Sequence, residues 1–319
     1  MRVASRSPDV DVRLQLLDGL IYGDVFDCAL TFDELWRYGR APIDRQALRR
    51  WLREDLSLRR LVVERDGFYG FADRSPALLT RRPARIQRAR RLERRARRVA
   101  NVLRHVPFVR GVALTGSAAA DHAADGADVD LMLIVASSRV GTVFLMLGSA
   151  SRLLGRRVFC PNYYVCEGHV ATGPTSLYVA RELAQARILV GGGAIPECDP
   201  WLAEVFPNAP TAVGKLAGRG GAAGLQRVLE APLRGRLGGW LERRARTIAD
   251  ARLRAHYGAR GEDVPPEVAT SLAAGRALRF HGGRTEETTL GRYVERREEI
   301  AARLRALDGE RPQARESAR

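Results

Sequence analysis

Lysine is almost missing from this chain: Lys215 stands alone among 53 basic residues, and the rest are arginine. Such a bias, beside abundant Ala and Gly, follows from GC-rich codon usage as readily as from a need for guanidinium forks. The formal charge of +16 therefore does not by itself argue for a polyanionic partner. Cysteine is scarce too. Cys28, Cys160, Cys166 and Cys198 lie apart, with no Cys-x-x-Cys and no paired histidine spacing, which excludes a disulfide framework and a zinc site and leaves them as small buried apolar residues. No apolar run reaches the roughly 18 unbroken residues of a membrane helix. The longest, around Leu131 to Leu147, is interrupted by Ser137, Ser138, Arg139 and Gly141. The start, MRVASRSPDVDVR, lacks an apolar signal region, so the expectation is a cytoplasmic protein with no membrane partner.

What is present is core-forming material. At 319 residues, 45% apolar and 28% charged, the chain can bury a substantial core and divides into two or three units. Leu14, Leu17, Ile21 and Val25 recur at helical spacing, and Thr31-Phe-Asp-Glu34 has the form of a capping box for a second helix. Asp44 is an N-cap candidate for a third helix through Leu48 and Leu52. Two β-rich runs, Leu61 to Arg65 and Phe68 to Phe71, are joined by Asp66-Gly67, the commonest two-residue hairpin turn. Three helices and a hairpin give the order of a winged helix, and we assign it residues 1–80.

Ten arginines against the single acid Glu93 between Arg81 and Arg98 make the charge local. Ile86, Ala89, Leu92, Ala96, Val99 and Leu103 step by three or four there, so the segment is an amphipathic helix with its basic side in solvent, ended by Pro107. It leads a compact α/β core over 81–190: strands at Val109 to Leu114 and Val129 to Val135, a helix at Gly141 to Leu154, and a strand at Val158 to Val165. Ser176 to Val190 reads as a helix. Residues 191–308 read as a helical C-terminal domain, with helices at Gly224 to Leu233, Gly239 to Tyr257 and Thr289 to Leu307, and 309–319 as a frayed tail.

The chemistry concentrates in Val112-Ala-Leu-Thr-Gly116-Ser117, a strand ending in Gly-Ser, followed eleven residues after the serine by Asp128-Val-Asp130. Residues i and i+2 of a strand share a face, so the two carboxylates point together toward the strand end that left Gly116 and Ser117. Adjacent carboxylates repel, and a divalent cation resolves the conflict. Mg²⁺ suits one or two carboxylates plus substrate phosphates. Gly116 lets the backbone approach a phosphate, and Ser117 with the following amides donates to phosphate oxygens. The blander reading is an Asp pair capping a strand beside a plain turn.

This arrangement resembles the signature of the polymerase-beta-like nucleotidyltransferase superfamily over about Arg97 to Val190. The resemblance implies that Asp128 and Asp130 hold Mg²⁺ (or Mn²⁺), that Gly116 and Ser117 hold the β- and γ-phosphates of a nucleoside triphosphate, and that an acceptor attacks the α-phosphate to release pyrophosphate. Active members usually place a third carboxylate on the following strand. Here that strand, Val158-Phe-Cys-Pro-Asn-Tyr-Tyr-Val165, has none. Asn162 near its centre is a ligand or positioning group that cannot be a base, and Glu167 reaches the site only through a bend after Val165. The wider pattern, with Phe-Cys-Pro-Asn-Tyr-Tyr, Trp201 to Asn208 and Leu278-Arg-Phe-His281, is similar to bacterial and archaeal stand-alone nucleotidyltransferase-domain proteins.

Other residues carry two readings. Arg139 either reaches the triphosphate or starts a helix; His122 either touches a phosphate or is solvated. One of Tyr163 and Tyr164 faces the core, leaving the other to stack a base. The expectation is thus an α/β (α+β) protein whose middle domain is a nucleotidyltransferase with an unknown acceptor: a small molecule, a protein or a nucleic acid. The rival is a DNA-binding regulator that docks the helix of Arg45, Arg49, Arg50 and Arg53, with nucleic-acid phosphates also met by Arg81 to Arg98, while the core senses nucleotide.

Overall fold

The computed structural model describes residues 8–154, 159–167, 176–191, 200–209, 224–279 and 284–309. The chain is mixed α and β, with two sheets, and divides into two compact units. One unit comprises Met1–Pro83, Leu202–Pro210 and Thr288–Arg319; the other comprises Ala84–Trp201 and Thr211–Glu287. The stretch expected to be a separate helical domain is therefore shared between the two. Cys198 and His281 lie outside the described residues.

In the first unit, α1 (Pro8–Asp24) buries Leu14, Leu17, Leu20 and Ile21. After β1 (Leu30–Thr31) the capping box forms as read. The Glu34 amide donates to Thr31 Oγ1 (3.2 Å) and the Thr31 amide donates to Glu34 Oε2 (2.8 Å), opening α2 (Phe32–Tyr38). Asp44 caps α3 (Arg45–Glu54) by accepting from the amides of Gln46 and Ala47. Asp55 then starts a further short helix, α4 (Leu56–Leu61), that periodicity did not reveal. Strands β2 (Val62–Arg65) and β3 (Phe68–Phe71) turn on Asp66 and Gly67, both at positive φ, and β3 lies between β1 and β2. The last helix, α13 (Arg284–Gly309), belongs here through most of its length because Tyr293, Ile300 and Leu304 are buried and Tyr293 Oη donates to Asp18 at 2.7 Å. Asn208, from the Trp201 to Asn208 motif, donates to Ala41 O and accepts from the Ile43 amide, a packing role.

The second unit is built on β4 (Val109–Leu114), β5 (Asp130–Val135), β6 (Cys160–Cys166), β7 (Arg187–Val190) and β8 (Ala277–Arg279) in the order β7-β4-β5-β6-β8. Only β5 and β6 run parallel. Val112 to Leu114 of β4 and Leu131 to Val135 of β5 are buried apolar runs, as expected of strands covered on both faces. Ala96, Ala100 and Leu103 of α5 (Ala77–Leu103) pack with Leu131, Leu133 and Val135, and with Val143 and Phe144 of α7 (Val140–Leu154) and Ala249 and Leu253 of α11 (Arg236–Gly258). The short α10 (Gly224–Glu230) precedes α11, and α12 (Pro266–Ala273) precedes β8; α9 (Pro200–Val205) spans the unit boundary. Among the described residues no helix is long and apolar enough to cross a membrane.

Two readings are corrected. Ser176 to Val190 is not one helix: α8 (Leu177–Gln185) stops at Ala186, and Arg187-Ile-Leu-Val190 becomes the edge strand β7 beside β4. Its apolar residues match a helical period by accident, whereas pairing with β4 satisfies their backbone groups. The strand expected from Val158 is Cys160–Cys166, with Val158 outside the described residues.

Candidate active site

The site lies in the second unit, where antiparallel β4 ends beside the start of β5. Leu114 pairs with Leu131, and the Thr115 amide donates to Asp130 O at 3.0 Å. This brings Gly116 and Ser117, opening the four-residue α6 (Gly116–Ala119), against the Asp pair. Val129 is fully buried while Asp128 and Asp130 are half-buried, the alternation expected of same-face carboxylates. Gly116, Ser117, Asp128, Asp130 and Asn162 all line one cavity of about 380 Å³.

Gly116 has φ +66, and a Cβ there would sit 2.5 Å from Asp130 Oδ2. Glycine is thus required by the carboxylate beside it as well as by the turn. Parallel β6 begins opposite Asp130, with Asp130 against Cys160 and Leu131 against Pro161, but Met132 pairs with Tyr163. Asn162 is the extra residue of a bulge, a device that re-aims a side chain. Its amide nitrogen donates to Asp130 Oδ1, and its amide oxygen accepts from the Cys160 thiol at 2.9 Å. Cys160 is accordingly a cavity residue, not a core filler; Cys166 is buried as expected. Tyr164 is the core member of its pair, edge-on to Phe144 at 5.6 Å, and Tyr163 lines the cavity.

The opposite wall comes from α8, started by Ser176, whose Oγ accepts from the Val179 amide. Tyr178 and Glu182, four residues apart and so on one helix face, both line the cavity. Arg279 of β8 lies over the Tyr178 ring at 5.6 Å and reaches Glu286 at 3.3 Å. Burial, with the charge of Asp128 added, pushes Asp130 up to about 6 against the hydrogen bond from Asn162. Burial likewise pushes Glu182 up to about 7; Arg279 and the Gly116 amide oppose this, and the Asp130 charge reinforces it.

Glu182 is the residue that reading the strands missed. A carboxylate does line the cavity, but from a helix and not from β6, and the signal for it was the Tyr-x-x-x-Glu spacing of Tyr178 and Glu182. Glu167 is not brought in: it follows β6 in a turn, its amide donating to Val135 O at 2.9 Å, at the far end of β5 from Asp130. Five strand residues at about 3.3 Å each separate those ends. Arg139 is also placed elsewhere. Beyond the same far end, it donates to Gly238 O (2.8 Å) and Leu233 O (2.7 Å) and lies over the Phe108 ring. His122 meets Arg85 of α5 and does not line the cavity.

Among the described residues no cluster of three or more His, Cys, Asp or Glu could hold a metal. Asp128 and Asp130 are the adjacent carboxylates the site offers a cation, and the pair fits Mg²⁺ or Mn²⁺ bound with substrate phosphates: the donors are oxygen, and the charge of Asp128 opposes ionisation of Asp130. No known family, no curated protein and no solved structure matches the chain.

Proposed function

We propose that the second unit is a metal-dependent nucleotidyltransferase, which moves a nucleoside monophosphate from a nucleoside triphosphate to an acceptor and releases pyrophosphate. The observation that carries this reading is the meeting of Gly116, Ser117, Asp128 and Asp130 in one cavity of a mixed sheet. It agrees with a nucleotidyltransferase-type core.

Asp128 and Asp130 would hold Mg²⁺ or Mn²⁺. When bound, the ion neutralises triphosphate charge and stabilises the departing pyrophosphate. Ser117 and the amides of its turn donate to the β- and γ-phosphates. Asn162 fixes the rotamer of Asp130 by donating to it. Glu182 accepts the acceptor's hydroxyl or amine proton, a task suited to a carboxylate that titrates near neutrality. Tyr163 offers a ring face to a base or an acceptor.

Pyrophosphate release from each NTP with Mg²⁺, with and without RNA or DNA, tests the activity. Calorimetry with Mg²⁺ and ATP tests the site: Asp128→Asn and Asp130→Asn are expected to abolish binding with the fold retained, and unchanged affinity in both removes the site.

The second reading, a winged-helix DNA-binding regulator with a nucleotide-sensing core, draws on the order α1 to α4, β2 and β3 and on the three-stranded antiparallel sheet. It ranks lower because Arg45 is tied to Asp33 and the Trp36 ring and Arg49 lies over Phe32, so two of the four groove-facing arginines are engaged within the unit.

A further inference from the structure

From Arg85 onward the arginines of α5 divide into two sets. The paired set is spent on the protein: Arg85 meets His122 and Arg88 Nε pairs with Asp125 Oδ1 at 2.5 Å, together holding the loop between Ser117 and Asp128. Arg97 pairs with Glu93, which also receives Arg187. The outward set is Arg90, Arg91, Arg94, Arg95 and Arg98, all exposed and none in an ion pair among the described residues. Five cations within nine residues span about 13 Å of helix, a density of like charge that a polyanion would offset.

We infer that this outward face of α5 docks the phosphodiester backbone of a nucleic acid without reading its sequence. From Gln87 to Asn101 every exposed residue is Arg, Gln or Asn, and the helix's single exposed large apolar side chain, Val102, follows at its end. One valine at the margin does not make the apolar face that would enter a lipid surface or form the desolvated centre of a protein interface. A regular polyanion with one charge per nucleotide meets all five guanidinium forks, which are matched to phosphate oxygens. No exposed aromatic lies among them to stack a base, so affinity is electrostatic and sequence-tolerant. The helix is held ready, its inner side anchored by fully buried Ala89, Ala96 and Ala100. This inference stands apart from the catalytic reading.

Fluorescence anisotropy of the full chain with a labelled single-stranded RNA of about 20 nucleotides, without NTP or divalent ion, tests it independently of any pyrophosphate assay. Five phosphate contacts give a log–log salt slope near −3.5, at about −0.7 per contact on a single strand. The variant Arg91→Glu, Arg94→Glu, Arg95→Glu, Arg98→Glu is expected to bind at least tenfold more weakly and to flatten the slope by about 3. Circular dichroism verifies its fold, and the same four positions changed to Gln keep a helix-forming surface should the acidic variant misfold. Arg50→Glu with Arg53→Glu in α3 is expected to bind as wild type. The inference is overturned by salt-insensitive or absent binding, by α5 variants that bind as wild type, by loss of binding in the α3 variant, or by tighter association with phosphatidylserine vesicles than with RNA.

Discussion

Gly116 sits between two carboxylates, its Cα against Asp130 and its amide donating to Glu182, so a single methyl group there separates packing from charge. Gly116→Ala must place a Cβ at positive φ and within 2.5 Å of Asp130 Oδ2. The expected cost is about 2 kcal/mol or more, read as a lowered thermal midpoint together with loss of pyrophosphate release. The carboxylates themselves set a pH dependence. Asp130 and Glu182, near 6 and 7 in the folded protein, start from ordinary values of 3.8 and 4.5, so the fold holds extra protons between about pH 4 and pH 7. Stability from these groups is complete at the acid end and declines as pH rises through that window. Asp130→Asn and Glu182→Gln should each gain about 1–3 kcal/mol at pH 8 and almost nothing at pH 4, without adding fully because the pair is coupled. Thermal melts across that range check it, and a gain larger at pH 5 than at pH 8 contradicts it. In turnover the same Glu182→Gln change should lower kcat by about 10² to 10⁴ with KM little altered if Glu182 is the base. Equal kcat values in an active enzyme would remove it from that role.

At the scale of elements, α2, α3 and α4 are capped by the residue that precedes each, whereas α7 depends on an acid borrowed from another segment. Glu242 on α11 is buried and accepts from the Gly141 amide (2.9 Å), the Thr142 amide (2.8 Å) and Thr142 Oγ1 (2.7 Å), filling the cap that the start of α7 lacks. Glu242→Ala leaves those donors unmet and opens a gap, so a loss of about 2–4 kcal/mol is expected in thermal denaturation, with Glu242→Gln recovering part of it. Contacts of this kind mark the limit of what the sequence discloses. The capping box at Thr31, the Asp66-Gly67 turn and strands β4 and β5 were legible because local spacing alone specifies them. The shared face of Asp128 and Asp130 was legible for the same reason. Strand β7 was not, since Ala186 is neither Gly nor Pro and gives no sign that α8 has ended. Glu182 was hidden because it reaches Asp130 through tertiary packing of α8, while Glu167, nearer along the chain to Asn162, is carried by the run of β6 to the wrong end of the sheet. The destination of Arg139 depended on carbonyls about 100 residues away, beyond any local pattern.

For the molecule as a whole, α1 and most of α13 belong to one unit. Tyr293 of α13 donates to Asp18 and its ring lies 6.1 Å from that of Tyr22, while Arg13 reaches Asp308 at 2.6 Å and Arg296 reaches Asp24 at 2.7 Å. Ile300 and Leu304 are fully buried. Helix α1 therefore owes part of its cover to residues nearly 300 positions later, and the unit closes only once α13 exists. Ile300→Ala with Leu304→Ala removes buried apolar volume at a cost of about 2–5 kcal/mol for each position. The expected consequence is regional, because the units have separate cores. In hydrogen exchange followed by mass spectrometry, amides of α1, α2 and α13 should lose protection in the double variant, while those of β4 and β5 keep the wild-type rate. Pyrophosphate release, if the second unit is the enzyme proposed, should persist under conditions where the first unit has opened. Wild-type protection across α1, or parallel loss in β4 and β5, would show that the two units do not open separately.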